Sequence, residues 1–98
     1  MNDRVRRTGE VIQISGPMTM ATARTVDSAV REALAALPNA TVDLSAVTRA
    51  DSAGLALLLG WMRQNRRRQA GIRFRGMPPQ MDAIAGISAL DRVLPRDG

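Results

Sequence analysis

Asp51 and Ser52 are the residues of this sequence whose types and positions best suit chemistry or molecular recognition. They stand between a short apolar segment, residues 41–44, and an apolar repeat that begins at Leu55. Either residue can cap a helix that begins here, and the N–H groups at a helix N-terminus attract negative charge because they lack partners within the helix. The pair therefore suits contact with a carboxylate of a partner or with a phosphate attached to Ser52.

The composition weighs against catalysis at this pair. The 98 residues include no histidine, cysteine or lysine, so the usual general base, the thiolate nucleophile and most transition-metal ligands are missing. Asp51 is a lone carboxylate, which makes a poor metal site. We therefore expect a protein that is not an enzyme and that needs no metal or other cofactor.

The charge of the chain is strongly positive. All 14 basic residues are arginine, against 9 acidic residues, which gives a net charge of +5. Such an excess suits an anionic partner, but arginines 66–68 fall in the last turns of a predicted helix, where positive charge is favourable for the helix itself. No aromatic residues interleave with these arginines, as a stacking site for single-stranded nucleic acid requires. We expect no nucleic-acid binding.

The apolar and turn-forming residues predict a single α/β domain over residues 1–98. The predicted elements are a hairpin turning at Thr8 and Gly9, a helix from Thr22 to about Ala36, a strand over 41–44, a helix over about 53–69, a strand around Phe74 and a helix after Pro78. Further expectations are that Gly16 and Pro17 end the second strand, that Gly71 ends the long helix in a left-handed conformation, and that Val93 and Leu94 form a last strand. A strand, a helix and a strand in so short a span imply a parallel crossover.

The long predicted helix is apolar on more than one side. Its core stripe is predicted from the i, i+3, i+4, i+7 spacing of Leu55, Leu58, Leu59 and Met62. Leu57 and Trp61 project away from that stripe, so they either pack under a neighbouring helix or form the exposed anchor of an interface. Gly54 costs the helix about 1 kcal/mol relative to alanine, which indicates a close backbone contact.

The segment DLSAVTRADSAGLALLLGW resembles the central signature of STAS domains, in which Asp-Leu-Ser, a spacer and Asp-Ser/Thr-x-Gly-Leu join a strand to a helix. The matching residues are Asp43, Leu44, Ser45, Asp51, Ser52, Gly54 and Leu55. The apolar run over 54–59 and the Val-Leu-Pro-Arg segment at 93–96 are similar to MlaB-like STAS subunits of Mla-type phospholipid ABC transporters. The resemblance implies a STAS-like mixed β-sheet with helices chiefly on one face. Asp43 of the motif either enters a buried hydrogen-bond network or begins a turn.

The resemblance implies a non-catalytic subunit that binds and stabilises or regulates the ATPase of a phospholipid ABC transporter involved in outer-membrane lipid asymmetry. The candidate partner-binding residues are Asp51, Ser52, Gly54, Leu57 and Trp61. The alternative is an anti-sigma-factor antagonist, in which an anti-sigma kinase phosphorylates Ser52. The start of the sequence has no signal for secretion, and no apolar stretch is long enough to span a bilayer. We therefore expect a cytoplasmic protein that reaches the inner membrane only through the transporter complex.

Overall fold

The structure, a computed structural model, describes residues 3–96 as four strands, three α-helices and a short 3-10 helix. The strands are β1 Val5–Thr8, β2 Val11–Met18, β3 Asn39–Ala50 and β4 Gly71–Arg75, and the helices are α1 Ala23–Ala35, α2 Ser52–Arg67 and α3 Pro79–Ile87. The 3-10 helix covers Leu90–Arg92. The predicted α/β class, the hairpin and the three helices are confirmed.

The strands form one mixed sheet in the order β1-β2-β3-β4. β1 and β2 are antiparallel, whereas β2, β3 and β4 are parallel, as the predicted crossover requires. Ile12, Val42 and Phe74 are partners in register on β2, β3 and β4, and all three are buried. Residues in register point to the same face of a sheet. Because all three are buried, this row lies on the face that the helices cover.

The helices supply the other half of the hydrophobic core. α1 contributes Val26, Val30 and Leu34, which share one side of the helix, and α2 contributes Leu55 and Leu58. No helix within residues 3–96 is both long enough and apolar enough to cross a membrane.

Two strands are longer than the sequence predicted. Gly16 and Pro17 do not end β2, which continues to Met18 because the ladder shifts register on both sides of Gly16, where φ is 81°. A bulge of this kind absorbs a proline that cannot donate a ladder hydrogen bond. Residues 46–50, which lie beyond the predicted strand over 41–44, pair with residues 15–18 and extend β3. As a result, Asp51 is the single residue between β3 and α2.

The end of α2 also differs from the prediction. Gln69 takes the left-handed conformation with φ of 56°, while Gly71 begins β4. Arg68, at the C-cap position, turns its guanidinium to α1 and donates hydrogen bonds to the carbonyl oxygens of Leu34 at 2.8 Å and Ala35 at 3.1 Å. The last carbonyl groups of a helix lack hydrogen-bond donors within that helix. Arg68 of α2 therefore provides donors for the last carbonyl groups of α1.

The predicted strand at Val93 and Leu94 is wrong. The 3-10 helix ends just before these residues, and the chain then returns to the sheet through a single bridge between Arg96 and Phe74. The Pro95 carbonyl oxygen accepts a hydrogen bond from the Phe74 N–H at 2.8 Å. Proline has no N–H of its own to donate, which keeps the ladder from extending back through Leu94.

Candidate functional site

Asp51 joins three parts of the chain at the carboxyl end of the parallel strands. It is the N-cap of α2, and its Oδ1 accepts a hydrogen bond from the Ala53 N–H at 2.8 Å. Its Oδ2 accepts a second hydrogen bond from the Met20 N–H at 3.2 Å, and its own N–H donates to the Met18 carbonyl oxygen at 3.4 Å. Of the two predicted capping residues, Asp51 is the one that caps the helix, and it also holds the connection between β2 and α1 against the start of α2.

Ser52 is the first residue of α2, and its side chain is exposed. Its hydroxyl makes no hydrogen bond to another residue of the described range 3–96. Because Asp51 already satisfies the Ala53 N–H, the Ser52 hydroxyl is not needed for the cap. It is therefore open to a contact from outside the domain.

Met20 is an exposed apolar residue beside this pair, and it was not among the residues predicted to bind a partner. Its side chain is 80% exposed, and its N–H is bound to Asp51. Thr22 supports this connection: its hydroxyl donates to the Pro17 carbonyl oxygen at 2.8 Å and accepts from the Thr19 N–H at 3.0 Å instead of capping α1. A large apolar residue between a strand and a helix cap is the sequence signal that could have identified Met20.

Gly54 lets α2 approach the sheet and α3 closely. A Cβ atom on Gly54 would lie 2.8 Å from the Met18 carbonyl oxygen and 3.0 Å from Met81 Cε, so the predicted close backbone contact is confirmed. Gln80 of α3 also meets this end of the sheet, because its Oε1 accepts a hydrogen bond from the Ala50 N–H at 2.9 Å. Gly54 is buried, and so it positions the site without lining it.

Trp61 is not an exposed anchor, and that interpretation is wrong. Its side chain is fully buried, and its Nε1–H donates to Asp27 Oδ1 of α1 at 2.8 Å. The same oxygen accepts from Arg31 Nε at 2.8 Å, and Arg31 Nη1 donates to Gln64 Oε1 at 2.8 Å. α1 covers this side of α2 and offers a carboxylate to the indole N–H, so the ring can be buried without an unpaired donor.

Leu57 is half-buried and packs against the core. Leu55 and Leu58 are buried as predicted. Leu59 and Met62 of the predicted stripe are only partly buried, because the most buried side of α2 runs toward Trp61. Only part of the Leu57 side chain can meet a partner. A contact through it stays a prediction.

Asp43 enters a hydrogen-bond network and does not begin a turn, since β3 continues past it. Its Oδ1 accepts from the Ser45 N–H at 2.9 Å, and its Oδ2 accepts from Arg75 Nη2 at 3.3 Å. Burial raises the pKa of Asp43, but the hydrogen bonds from Ser45 and Arg75 and the charge of Arg75 outweigh burial and lower the pKa below its usual value. The carboxylate is therefore ionised at neutral pH.

A family model described as "Mlab, STAS domain" matches residues 3–95. The match covers nearly the whole chain, so the protein belongs to the STAS domain family. No curated protein sequence matches the chain significantly.

Solved structures share the fold. A crystal structure of an anti-sigma factor antagonist from Mycobacterium paratuberculosis is 25% identical over 94% of this chain and 80% of that chain, with a TM-score of 0.78. The structure of the Bacillus cell fate determinant SpoIIAA in the phosphorylated form is 17% identical over 96% of this chain and 89% of that chain, with a TM-score of 0.70. These similarities confirm the STAS fold.

Proposed function

We propose that this protein is a non-catalytic STAS subunit that binds the ATPase of an Mla-type phospholipid ABC transporter and stabilises or regulates it. The proposal is carried by the Ser52 surface, which consists of Met20, Asp51, Ser52 and Gln80. This surface presents a hydroxyl with no hydrogen-bond partner in residues 3–96, beside a methionine that is 80% exposed. Asp51 holds Met20 beside the start of α2, where Ser52 lies, because its carboxylate accepts hydrogen bonds from the Met20 and Ala53 N–H groups.

The chemistry of the Ser52 surface suits a protein partner. Methionine makes adaptable apolar contacts, the hydroxyl offers one hydrogen bond, and the start of α2 favours an acceptor or a negative charge on the partner. The family description, which names Mlab, supports a transporter ATPase as that partner. In this proposal the protein acts in the cytoplasm, meets the inner membrane only through the transporter, and binds no nucleic acid.

A second candidate function is that of an anti-sigma-factor antagonist regulated by phosphorylation of Ser52. It is supported by the similarity to the anti-sigma factor antagonist from Mycobacterium paratuberculosis, which is 25% identical to this chain. Ser52 is exposed to a kinase, and a phosphate at the first position of α2 would stand at the positive end of the helix dipole. The partner would then be an anti-sigma kinase.

Four forms of residue 52 separate the two functions. Calorimetry would measure the binding of wild type, Ser52→Thr, Ser52→Ala and Ser52→Glu to the ABC ATPase and to an anti-sigma kinase. For the ATPase we expect Thr to bind like wild type and Glu to bind at least ~30-fold more weakly, because it adds bulk and charge to a packed contact. Ala should fall between them, since it loses one hydrogen bond.

Ser28→Glu is the matched control, because Ser28 is an exposed serine of α1 and the substitution adds the same charge. It should leave ATPase binding unchanged. Retention of kinase binding by Ser52→Ala, with phosphate incorporated only into the wild-type and Thr forms, would replace the transporter proposal with the antagonist.

A further inference from the structure

The face of the sheet that the helices leave uncovered carries polar side chains that the Ser52 surface does not use. Arg6, Gln13, Asp43 and Arg75 are partners in register, one from each strand from β1 to β4. Residues directly opposite each other in a sheet point to the same face. The hydrogen bond from Arg75 to Asp43 agrees with this placement. Together with Thr41 and Arg73, these residues form what we call the open face.

Positive charge predominates on the open face. Arg73 lies two residues before Arg75 on β4, so its side chain points the same way. Asp43 already binds Arg75, whereas Arg6 and Arg73 are exposed and donate no hydrogen bond to another residue of the described range. One further carboxylate, Glu10, stands at the rim, in the same shallow depression as Arg73. Two guanidinium groups are therefore free to meet an anion.

We propose that the open face binds an acidic polypeptide segment. The planar guanidinium fork matches a carboxylate with two parallel hydrogen bonds, and Gln13 between the arginines offers an amide to the segment's backbone. Three strand spacings of about 4.8 Å and two residues of about 3.3 Å along β4 place the Cα atoms of Arg6 and Arg73 about 16 Å apart. Long arginine side chains can therefore reach residues i and i+4 of an extended chain, which lie ~13 Å apart. Carboxylates at alternate positions of such a segment would all face the sheet.

An anionic membrane fits the open face less well. Basic segments that bind anionic lipid carry roughly four to eight lysines or arginines, and here one of three arginines is already paired with a carboxylate. Membrane-surface sites also use aromatic side chains, whereas Trp61 and Phe74, the aromatic residues of this chain, are buried. The charge and the polar lining together favour a polypeptide.

The test uses an extended peptide with glutamate at alternate positions and serine between, and a matched peptide in which glutamine replaces every glutamate. Calorimetry would measure binding to wild type and to the double variant Arg6→Gln/Arg73→Gln. The control double variant is Arg66→Gln/Arg67→Gln, which removes the same charge from exposed positions at the end of α2. We expect the affinity for the glutamate peptide to fall ~10-fold or more in Arg6→Gln/Arg73→Gln and ~2-fold or less in the control double variant, because the contact is local.

Several results would overturn the proposal. Equal losses in the two double variants would mean that the peptide responds only to net charge. Equal affinity for the glutamine peptide would remove the role of carboxylates, and tighter binding of phosphatidylglycerol vesicles that depends on Arg6 and Arg73 would assign the face to a membrane. Arg6→Gln/Arg73→Gln should melt like wild type, because neither side chain makes a hydrogen bond within residues 3–96. Arg66→Gln/Arg67→Gln should melt only slightly below wild type, because both charges stand in the last turn of α2, where positive charge is favourable. Ser52→Glu should leave peptide binding unchanged, which separates this face from the Ser52 surface.

Discussion

The middle and the start of helix α2 differ in how their polar groups are paired. Around Trp61, the indole N–H, the Asp27 carboxylate and the Arg31 guanidinium bind one another between α1 and α2. At the start of the helix, each oxygen of the Asp51 carboxylate accepts a hydrogen bond, yet the hydroxyl of Ser52 has no partner within residues 3–96. The difference teaches that tertiary packing can satisfy and bury a tryptophan that the sequence leaves open as an interface anchor, while a neighbouring serine of the same helix stays exposed and unpaired within the described residues.

The strongest test of this comparison is Trp61→Ala. We expect it to lower the free energy of unfolding by ~3–5 kcal/mol, because a fully buried ring leaves a cavity and Asp27 Oδ1 keeps only its hydrogen bond from Arg31. Urea unfolding followed by circular dichroism measures the change. Trp61→Phe keeps most of the volume and should cost less. A loss under ~1 kcal/mol for alanine, with weakened partner binding, would restore Trp61 as an interface residue.

Gly54→Ala should have the next largest effect on stability. Its Cβ would strike the Met18 carbonyl oxygen, and overpacking of ~1–3 kcal/mol exceeds the ~1 kcal/mol gained from helix propensity. Gly60→Ala is the matched control on the same helix, because its Cβ would meet the movable end of Arg31 at 2.9 Å. Urea unfolding should show a larger loss for Gly54→Ala than for Gly60→Ala, in which the Arg31 guanidinium must shift against its hydrogen bonds to Asp27 and Gln64 but no backbone atom is struck. Equal effects would contradict the close packing of Gly54.

Neighbouring alanine substitutions at the start of α2 should differ in their effect. Asp51→Ala should cost ~1 kcal/mol, because it removes the cap and the hydrogen bond to Met20. Ser52→Ala should change the free energy of unfolding by less than ~0.5 kcal/mol, because its hydroxyl binds nothing within the described range. Thermal unfolding of both variants measures this difference. A comparable loss in Ser52→Ala would mean that the hydroxyl serves the fold and not a partner.

The smallest expected effect concerns Asp43, a second carboxylate whose partners lie within the domain. Because its pKa is lowered in the folded state, its contribution to stability is complete above its unfolded-state pKa of about 3.9 and is lost as pH falls through the lower folded-state pKa. Asp43→Asn should therefore flatten the decline of stability below about pH 4. Urea unfolding at neutral and acidic pH measures the two slopes. Parallel slopes would contradict the lowered pKa.

The helices were easier to predict than the strand lengths. The buried side of α1 at Val26, Val30 and Leu34 follows from spacing within one helix, and the cap at Asp51 follows from the residue type just before an apolar repeat. The extension of β3 to Ala50 does not follow from its polar composition, because it depends on pairing with β2. Met20 was missed for a similar reason, since its exposure depends on how Asp51 holds the connection.

The amino-acid sequence by itself determined the order of the elements, the STAS signature and the placement of Asp51 and Ser52 at a helix start. These features depend on periodicity, turn residues and capping, which act between residues close in the chain. Only the tertiary structure decided that Trp61 is buried against Asp27 and that Arg68 binds the end of α1. Burial and hydrogen-bond partners of this kind depend on residues distant in the chain, and no local pattern specifies which helix will cover a given side.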